Sequence, residues 1–214
     1  MCFIVVLAVL GVPLAYAQPS TIPNCGSGPA TGATVIAAMR KARASSYPEL
    51  VQVQMSLQEF HSTSDYFRTR FSLPRFFFLM PMRYSVQVNP DLFSQGAPQD
   101  GVCAILAHEL AHVAALSHGN RIRRFNLIRL MSAGYTRRFE RKTDLEAIRR
   151  GYGDGLKVYR TWVYAHIPPE KLAEKRRRYF SAEEIERIQQ VSLRDPSRFV
   201  EWSRQVPMRL EEIH

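Results

Sequence analysis

The sequence predicts an α+β fold that is predominantly helical and carries a small β-sheet, and three observations lead to this prediction. Stretches in which apolar and polar residues alternate, as in half-covered strands, fall between residues 49 and 88. Residues 101–116 are apolar nearly throughout, which is typical of a buried helix. The chain after residue 117 carries a series of helix start and stop signals. We therefore expect helices to pack around one buried helix, with the sheet lying over it.

The size and composition fit one domain with a sizeable core. The chain has 214 residues, 46% of them hydrophobic, and shows no internal repeat. We assign residues 33–191 to this domain and residues 192–214 to a C-terminal tail. The net charge of +10 favours contact with an anionic membrane or cell-envelope surface, and a charge that serves solubility alone is an equal alternative. Nucleic acid is the least expected partner, because the sequence has no nucleic-acid-binding motif.

The N-terminal segment has the features of a secretory signal peptide. Residues 1–17 are apolar and end in Ala15-Tyr16-Ala17, a small-x-small pattern typical of cleavage before Gln18. The run is short for a transmembrane span. It also lacks the usual Lys or Arg near its start, so retention as an anchor is the alternative. We expect cleavage and export to the periplasm or the extracellular space.

Residues 18–32 are rich in Pro, Ser, Thr and Gly and predict a flexible leader. Cys25 lies in this leader, and Cys103 lies in the apolar stretch. In an oxidising compartment these two cysteines can form a disulfide. The alternative is that Cys103 is a buried packing residue. The sequence leaves both open.

The next part of the chain predicts one short helix and three strands. The helix covers residues 33–43, and the strands cover residues 49–57, Phe76–Met82 and Arg83–Val88. The last strand alternates strictly, which predicts one covered face: Tyr84, Val86 and Val88 against Ser85 and Gln87. Residues 89–91 (Asn-Pro-Asp) then turn the chain towards the apolar stretch.

The apolar stretch contains the sequence His108-Glu109-Leu110-Ala111-His112, an HExxH motif. Residues four apart share one face of a helix, so His108 and His112 can bind the same metal ion. Glu109 lies about 100° further round the helix, where its carboxylate can accept a proton from water at the metal. Burying these polar groups without a partner would be costly, and a Zn²⁺ ion supplies one. This context disfavours a chance occurrence of the motif.

Further helices are predicted after the HExxH helix. Gly-rich residues 151–155 are expected to end one of them, and Ser181 begins a capping box that opens another. In order, the predicted helices cover Arg121–Met131, Tyr135–Tyr152, a segment ending near Tyr164, and a segment from Ser181 to about Val191.

A catalytic zinc site requires a third protein ligand and an open position. Glu140 is the preferred candidate because it lies on a predicted helix, with Asp144 one turn later on the same face. The carboxylate of Glu140 would bind the metal, and that of Asp144 would orient a ligating imidazole. Glu146 is the alternative ligand. Another alternative is that Glu140 only pairs with a neighbouring arginine on a solvated face.

Three motifs in this order resemble the CAAX-prenyl-protease and heat-shock membrane protease family of gluzincin zinc metallopeptidases. They are HELAH at 108–112, FERKTD at 139–144 and AHIPPEK at 165–171. The strand and turn at residues 83–93 are also similar, and the resemblance covers about Met80 to Ile188. The sequence departs from the family in that Thr143 replaces the usual Ala, Ile167 separates His166 from Pro168, and Lys171 stands near the usual Arg. It looks like the short exported members that lack transmembrane helices.

The resemblance implies a zincin-like metallopeptidase domain with a small β-sheet over the HExxH helix. It implies that His108, His112 and Glu140 bind one Zn²⁺ ion, that Glu109 is the general base, and that Asp144 orients a ligand.

The resemblance also implies two further roles. His166 would stabilise the oxyanion of the tetrahedral intermediate; the alternative is an ordinary loop histidine. The strand at 83–88 would be a sheet edge that pairs with an extended substrate. The residues that would contact the substrate are Tyr84, Ser85, Val86 and Gln87.

These observations predict a secreted or periplasmic zinc-dependent endopeptidase that hydrolyses polypeptides through zinc-activated water, with Glu109 as general base. The alternative is a metal-binding envelope chaperone or assembly factor of the same fold with little or no proteolysis. The intact Glu109 argues against it, because a binding protein needs no general base. A weaker hypothesis is peripheral attachment to anionic membranes through the Arg/Lys-rich span 121–178.

Overall fold

The computed structural model describes residues 25–72, 74, 75, 78, 80–117 and 133–214. Its helices are α1 (Gly32–Ser45), α2 (Asp91–Ser94), α3 (Gln99–Ser117), α4 (Ala133–Ala147), α5 (Gly153–His166), α6 (Pro169–Arg178), α7 (Ala182–Arg194) and α8 (Arg198–Arg204). Its strands are β1 (Gln54–Glu59), β2 (Phe67–Phe71) and β3 (Arg83–Val88). A π-helical turn, Ile148–Tyr152, joins α4 to α5, and Pro48–Leu50 and Leu210–Glu212 form 3₁₀ turns. The predicted α+β, predominantly helical class is confirmed.

The helix α3 forms the centre of the core. Every residue from Gly101 to Val113 is buried, which confirms the prediction of a buried helix. The helices α1, α4 and α5 pack around α3, and β2 and β3 contact it from the sheet. The polar residues of the HExxH motif are therefore held inside the protein by the apolar residues on either side of them.

The strand order in the sheet is β1-β3-β2, so β3 is the central strand. It pairs in parallel with β1, where Leu57 faces Val86, and antiparallel with β2, where Thr69 faces Val86. Its apolar face is covered, as predicted, since Tyr84, Val86 and Val88 are buried. The prediction that β3 is a sheet edge is wrong, because neighbouring strands take up the backbone groups on both its sides. Tyr84, Ser85, Val86 and Gln87 therefore have no free edge to offer an extended substrate.

Glycines allow α5 to lie close against α3. A Cβ atom added to Gly155 would come within 2.6 Å of the carbonyl oxygen of Asp100, and one added to Gly101 would come within 3.1 Å of the backbone nitrogen of Tyr159. The sequence predicted that residues 151–155 end a helix. Instead the chain only kinks at Gly151, which has a φ of 91°, and continues as α5. The glycines after the kink serve helix packing.

The two ends of the described chain are more firmly held than the sequence predicted. The leader prediction is wrong for residues 25–32: Cys25 forms a disulfide with Cys103, and the backbone N–H of Ala30 donates to the carbonyl of Ala97 at 2.8 Å. The structure thus settles the disulfide that the sequence left open. Residues 192–214 were predicted as a tail, but Trp202 and other apolar side chains from this segment are buried in the common core.

Several boundaries differ from the predictions. Residues 49–57 were predicted as a strand, but Pro48–Leu50 forms a 3₁₀ turn and β1 begins at Gln54. The described residues of the predicted strand Phe76–Met82 are not in a strand, since the N–H of Phe78 donates to the carbonyl of Pro74. The predicted signal peptide and the predicted helix 121–131 lie outside the described residues. Within the described ranges, no helix is long and apolar enough to cross a membrane.

Candidate metal centre

The two histidines of the HExxH motif and Glu140 converge on one point. The Nε2 atoms of His108 and His112 lie 3.1 Å apart, and Oε2 of Glu140 lies 3.3 Å from the first and 3.0 Å from the second. The histidines lie one turn apart on α3, and Glu140 reaches them from α4. These three are the described side chains whose arrangement could hold a metal ion.

The triangle of ligand atoms has the dimensions of a zinc site. Zn²⁺ binds histidine nitrogen and carboxylate oxygen at about 2.0–2.2 Å, so the edges of a tetrahedral site are about 3.3 Å long. The observed edges of 3.0–3.3 Å fit one face of such a tetrahedron. Three protein ligands leave a fourth position open, as in catalytic rather than structural zinc sites.

The carboxylate of Asp144 contacts His108 at Nδ1, the ring nitrogen that is not part of the ligand triangle. Its Oδ1 atom lies 2.8 Å from Nδ1 of His108, on the side of the ring that faces away from the triangle. The guanidinium of Arg160 donates to the same Oδ1 at 2.8 Å, and the N–H of Phe180 donates to Oδ2 at 3.1 Å. A carboxylate at Nδ1 favours a proton on that nitrogen, which leaves Nε2 of His108 to face the triangle. This placement agrees with the prediction that Asp144 orients a ligating imidazole.

The charges of His108, Glu140 and Asp144 shift one another's pKa values. Burial lowers the pKa of His108, but the charge and hydrogen bonding of Asp144, with help from Glu140, raise it to about 9. Burial raises the pKa of Glu140, and the two imidazoles outweigh this and hold it well below its usual range. Burial likewise raises the pKa of Asp144, and Arg160 and His108 lower it. The site therefore favours ionised carboxylates beside a positive charge, which a divalent cation would also supply.

Glu109 lies beside the triangle and is fixed by β2. The hydroxyl of Thr69 donates to Oε2 of Glu109 at 2.7 Å and lies 3.2 Å from its carbonyl oxygen. The carboxylate is buried, with 4% of the residue exposed. It faces a small cavity of about 20 Å³ that His108 and Tyr179 also line. That volume is enough for about one water molecule.

Tyr179 is an aromatic neighbour of the site. Its ring meets the ring of His108 edge-on at 5.9 Å between centroids, and the guanidinium of Arg160 lies 4.4 Å from its centroid on the other side. Burial first, and then the negative charge of Glu140, raise the pKa of Tyr179 well above its usual value. Tyr179 thus packs against the imidazole of His108 and stays protonated.

Two other residues predicted for the site, His166 and Glu146, make their described contacts elsewhere. His166 is exposed at the end of α5, stacks on Trp162 with 4.7 Å between ring centroids, and hydrogen-bonds through Nδ1 to the carbonyl of Trp162 at 2.8 Å. Its described contacts include none of the three ligand residues, so its predicted oxyanion role gains no support. Glu146, the alternative ligand, instead binds the guanidinium groups of Arg149 and Arg150.

Thr69, Arg160 and Tyr179 are site residues that sequence reasoning missed. Thr69 had a detectable signal, because in Phe67–Phe71 it is the polar residue between two phenylalanines on one face of an alternating strand. Arg160 lies among apolar residues of α5, which is a weaker sign of a buried charge. Tyr179 follows a run of basic residues, and nothing in that pattern distinguishes it.

Comparison of the chain with protein-family models, with curated proteins and with solved structures finds no match. Its function must therefore be inferred from the site itself.

Proposed function

We propose that this protein is an exported zinc-dependent endopeptidase of the gluzincin type. The observation that carries the proposal is the triangle of His108, His112 and Glu140, with the carboxylate of Glu109 beside it. Two imidazoles, one carboxylate and an open fourth position form the ligand set of catalytic zinc in peptidases. A metal-binding protein without catalysis would not need a buried carboxylate next to the open position.

The residues around the site fit peptide hydrolysis. When bound, zinc lowers the pKa of a coordinated water towards neutrality and polarises a carbonyl group. In this proposal Glu109 accepts a proton from the attacking water and returns it to the leaving amine. Thr69 holds the carboxylate of Glu109, and Asp144 holds the imidazole of His108, so both groups are oriented before the substrate arrives.

The strand whose edge suits an extended substrate is β2, because β3 lies in the centre of the sheet. On one side β2 pairs with β3, and in the strand order of the described sheet it is an outer strand. The bond from Thr69 to Glu109 fixes this strand directly above the HExxH helix. A polypeptide added to β2 by backbone hydrogen bonds would lie close to the general base.

Export is supported by the disulfide between Cys25 and Cys103. Disulfides persist in oxidising compartments and are rare where thiols are kept reduced. The apolar segment at residues 1–17, with its small-x-small end, agrees with a secreted or periplasmic location.

The proposal is tested with the zinc-loaded protein and its Glu109→Gln variant, using oxidised insulin B chain as an unfolded substrate. We expect the wild type to cut the chain, a chelator to stop cleavage, and Glu109→Gln to retain about one zinc ion while turnover falls by at least a hundredfold. Turnover retained in Glu109→Gln would contradict the mechanism. Zinc binding without cleavage in the wild type would favour the metal-binding chaperone.

A further inference from the structure

A second cavity lies one helical turn from the metal centre. It has a volume of about 540 Å³ and lies between the start of α4 and the end of α6. Thr136 and Arg137 line it from α4, four and three residues before Glu140, and these spacings place them on the same side of the helix as that ligand. Arg177 and Arg178 line it from α6. The cavity therefore lies about one helical turn from Glu140, on the same side of α4 as that residue.

The lining of this cavity carries more positive than negative charge. It includes three guanidinium groups and one carboxylate, that of Glu174, which already forms an ion pair with Arg178. Arg137 donates to the carbonyl of Met208 at 2.8 Å, and its buried Nε atom has no hydrogen-bond partner. Arg177 forms no ion pair within the part of the chain that the structure describes. Two of the three guanidinium groups thus lack an acidic partner.

The carboxylates that act on this cavity from outside it are engaged by other groups. Glu140 acts on Arg178 but lies against the imidazoles of His108 and His112. Glu184 and Glu212 act on Arg137, but Glu184 is held by Arg141 at 2.8 Å and Glu212 by Arg209 at 3.3 Å. Burial, and then the positive charge of Arg141, lower the pKa of Arg137, and Arg177 adds to this effect. Arg141 and Arg177 thus act on the Arg137 side chain with like charge.

We propose that this cavity is a substrate subsite for a carboxylate, carried by an Asp or Glu side chain or by the C terminus of the polypeptide. The inference rests on the proposed peptidase function and adds a substrate class to it. Guanidinium groups bind carboxylates through paired, charge-assisted hydrogen bonds. The volume lies within the range of ordinary ligand pockets, and the net charge of +10 would favour the approach of acidic chains.

The test uses peptides built around a bond that the wild type cuts in oxidised insulin B chain. Each position within three residues of that bond carries Gln, Glu or Lys in turn, and each peptide is made with a free and an amidated C terminus. We expect Glu at one position, or the free C terminus, to raise kcat/KM about tenfold over the neutral peptide. Lys at the same position should lower it.

Variants locate the effect in the cavity. Arg177→Glu should reverse the preference between Glu and Lys, and Arg177→Gln should weaken it. Arg40→Glu makes the same change in net charge at an exposed arginine on α1, outside the cavity, and should leave the preference intact. Arg177 is exposed, so its replacement should not prevent folding.

The outcomes separate the inference from the function on which it rests. If no peptide is cut, the proposed function fails and the inference fails with it. If peptides are cut equally well with Glu, Gln or Lys, the inference alone is overturned. It is also overturned if Arg177→Glu keeps the peptide preference but loses binding to phosphatidylserine vesicles, because the cavity would then serve a lipid head group.

Discussion

The carboxylate of Asp144 lies 2.8 Å from the imidazole of His108, and it is fully buried. The guanidinium of Arg160 donates to the same carboxylate oxygen at 2.8 Å and balances its charge. The imidazole that points at the metal position is thus backed by a buried ion pair between α4 and α5. Such a network fixes the orientation of a ligand only while each member keeps its partner.

Replacing Asp144 with Asn should weaken zinc binding. We expect a loss of about 10–100-fold in affinity, the range typical of residues that orient a metal ligand, and a lower free energy of unfolding because Arg160 loses its ionised partner. Competition with a fluorescent zinc chelator measures the first, and urea unfolding the second. Asp154→Asn is the control, since that aspartate is on the exposed side of α5. Unchanged affinity in Asp144→Asn would show that the contact has no role in metal binding.

Removing the third ligand should abolish stoichiometric zinc. Glu140→Ala deletes one corner of the ligand triangle, whereas Glu146→Ala deletes only a carboxylate that binds Arg149 and Arg150. We expect about one zinc ion per chain in the wild type and in Glu146→Ala, and a small fraction of that in Glu140→Ala, by elemental analysis. The opposite result would move the third ligand to Glu146.

Zinc affinity should rise with pH. In the metal-free protein the pKa of His108 is raised to about 9, so its protonated form stabilises the fold fully below pH 6.5, and this contribution is lost as the pH rises through about 9. Zinc needs the neutral imidazole. Binding at pH 7–8 should therefore release a proton, and the affinity should increase up to about pH 9.

Calorimetry in buffers of different ionisation enthalpy measures this proton release. In Asp144→Asn, which removes the main cause of the raised pKa, the affinity should level off at a lower pH. A wild-type affinity that stays constant between pH 7 and 9 would contradict the expectation.

Thr69→Val should slow turnover without removing the metal. The variant loses the hydroxyl that holds Glu109, so we expect kcat to fall about tenfold, with KM and zinc content close to the wild-type values. Thr161→Val is the control. The hydroxyl of Thr161 lies on an exposed part of α5 and donates to the backbone carbonyl of Lys157. A change confined to KM would indicate that Thr69 shapes the substrate edge instead.

Breaking the disulfide should lower stability while the metal centre persists. The bond between Cys25 and Cys103 spans 78 residues, and a loop of that length corresponds to about 4.5 kcal/mol of stabilisation. The Cys25→Ala/Cys103→Ala double variant should unfold at lower urea but still bind zinc, since neither cysteine belongs to the ligand triangle. Equal stability of the reduced and oxidised protein would show that the bond adds nothing.

The sequence alone determined the features that depend on neighbours along the chain. The spacing of His108 and His112 places both on one helix face whatever surrounds them, and the apolar flanks require that helix to be buried. Capping at Ser181 and the covered face of β3 are equally local, and both are found where they were predicted. Glu140 and Asp144 were chosen by helix spacing and resemblance, and α4 brings both to His108.

Only the tertiary structure decided which distant groups meet. The order of strands depends on how the chain crosses the sheet, so alternation in β3 could not show that β2 takes the edge. Thr69 comes from β2, Arg160 from α5 and Tyr179 from the residue after α6, and their contacts at the site exist only in the packed structure. Likewise the glycines of residues 151–155 look like a helix stop. The packed structure instead uses Gly151 at the kink, Gly153 against the side chain of Gln189, and Gly155 where α5 approaches α3.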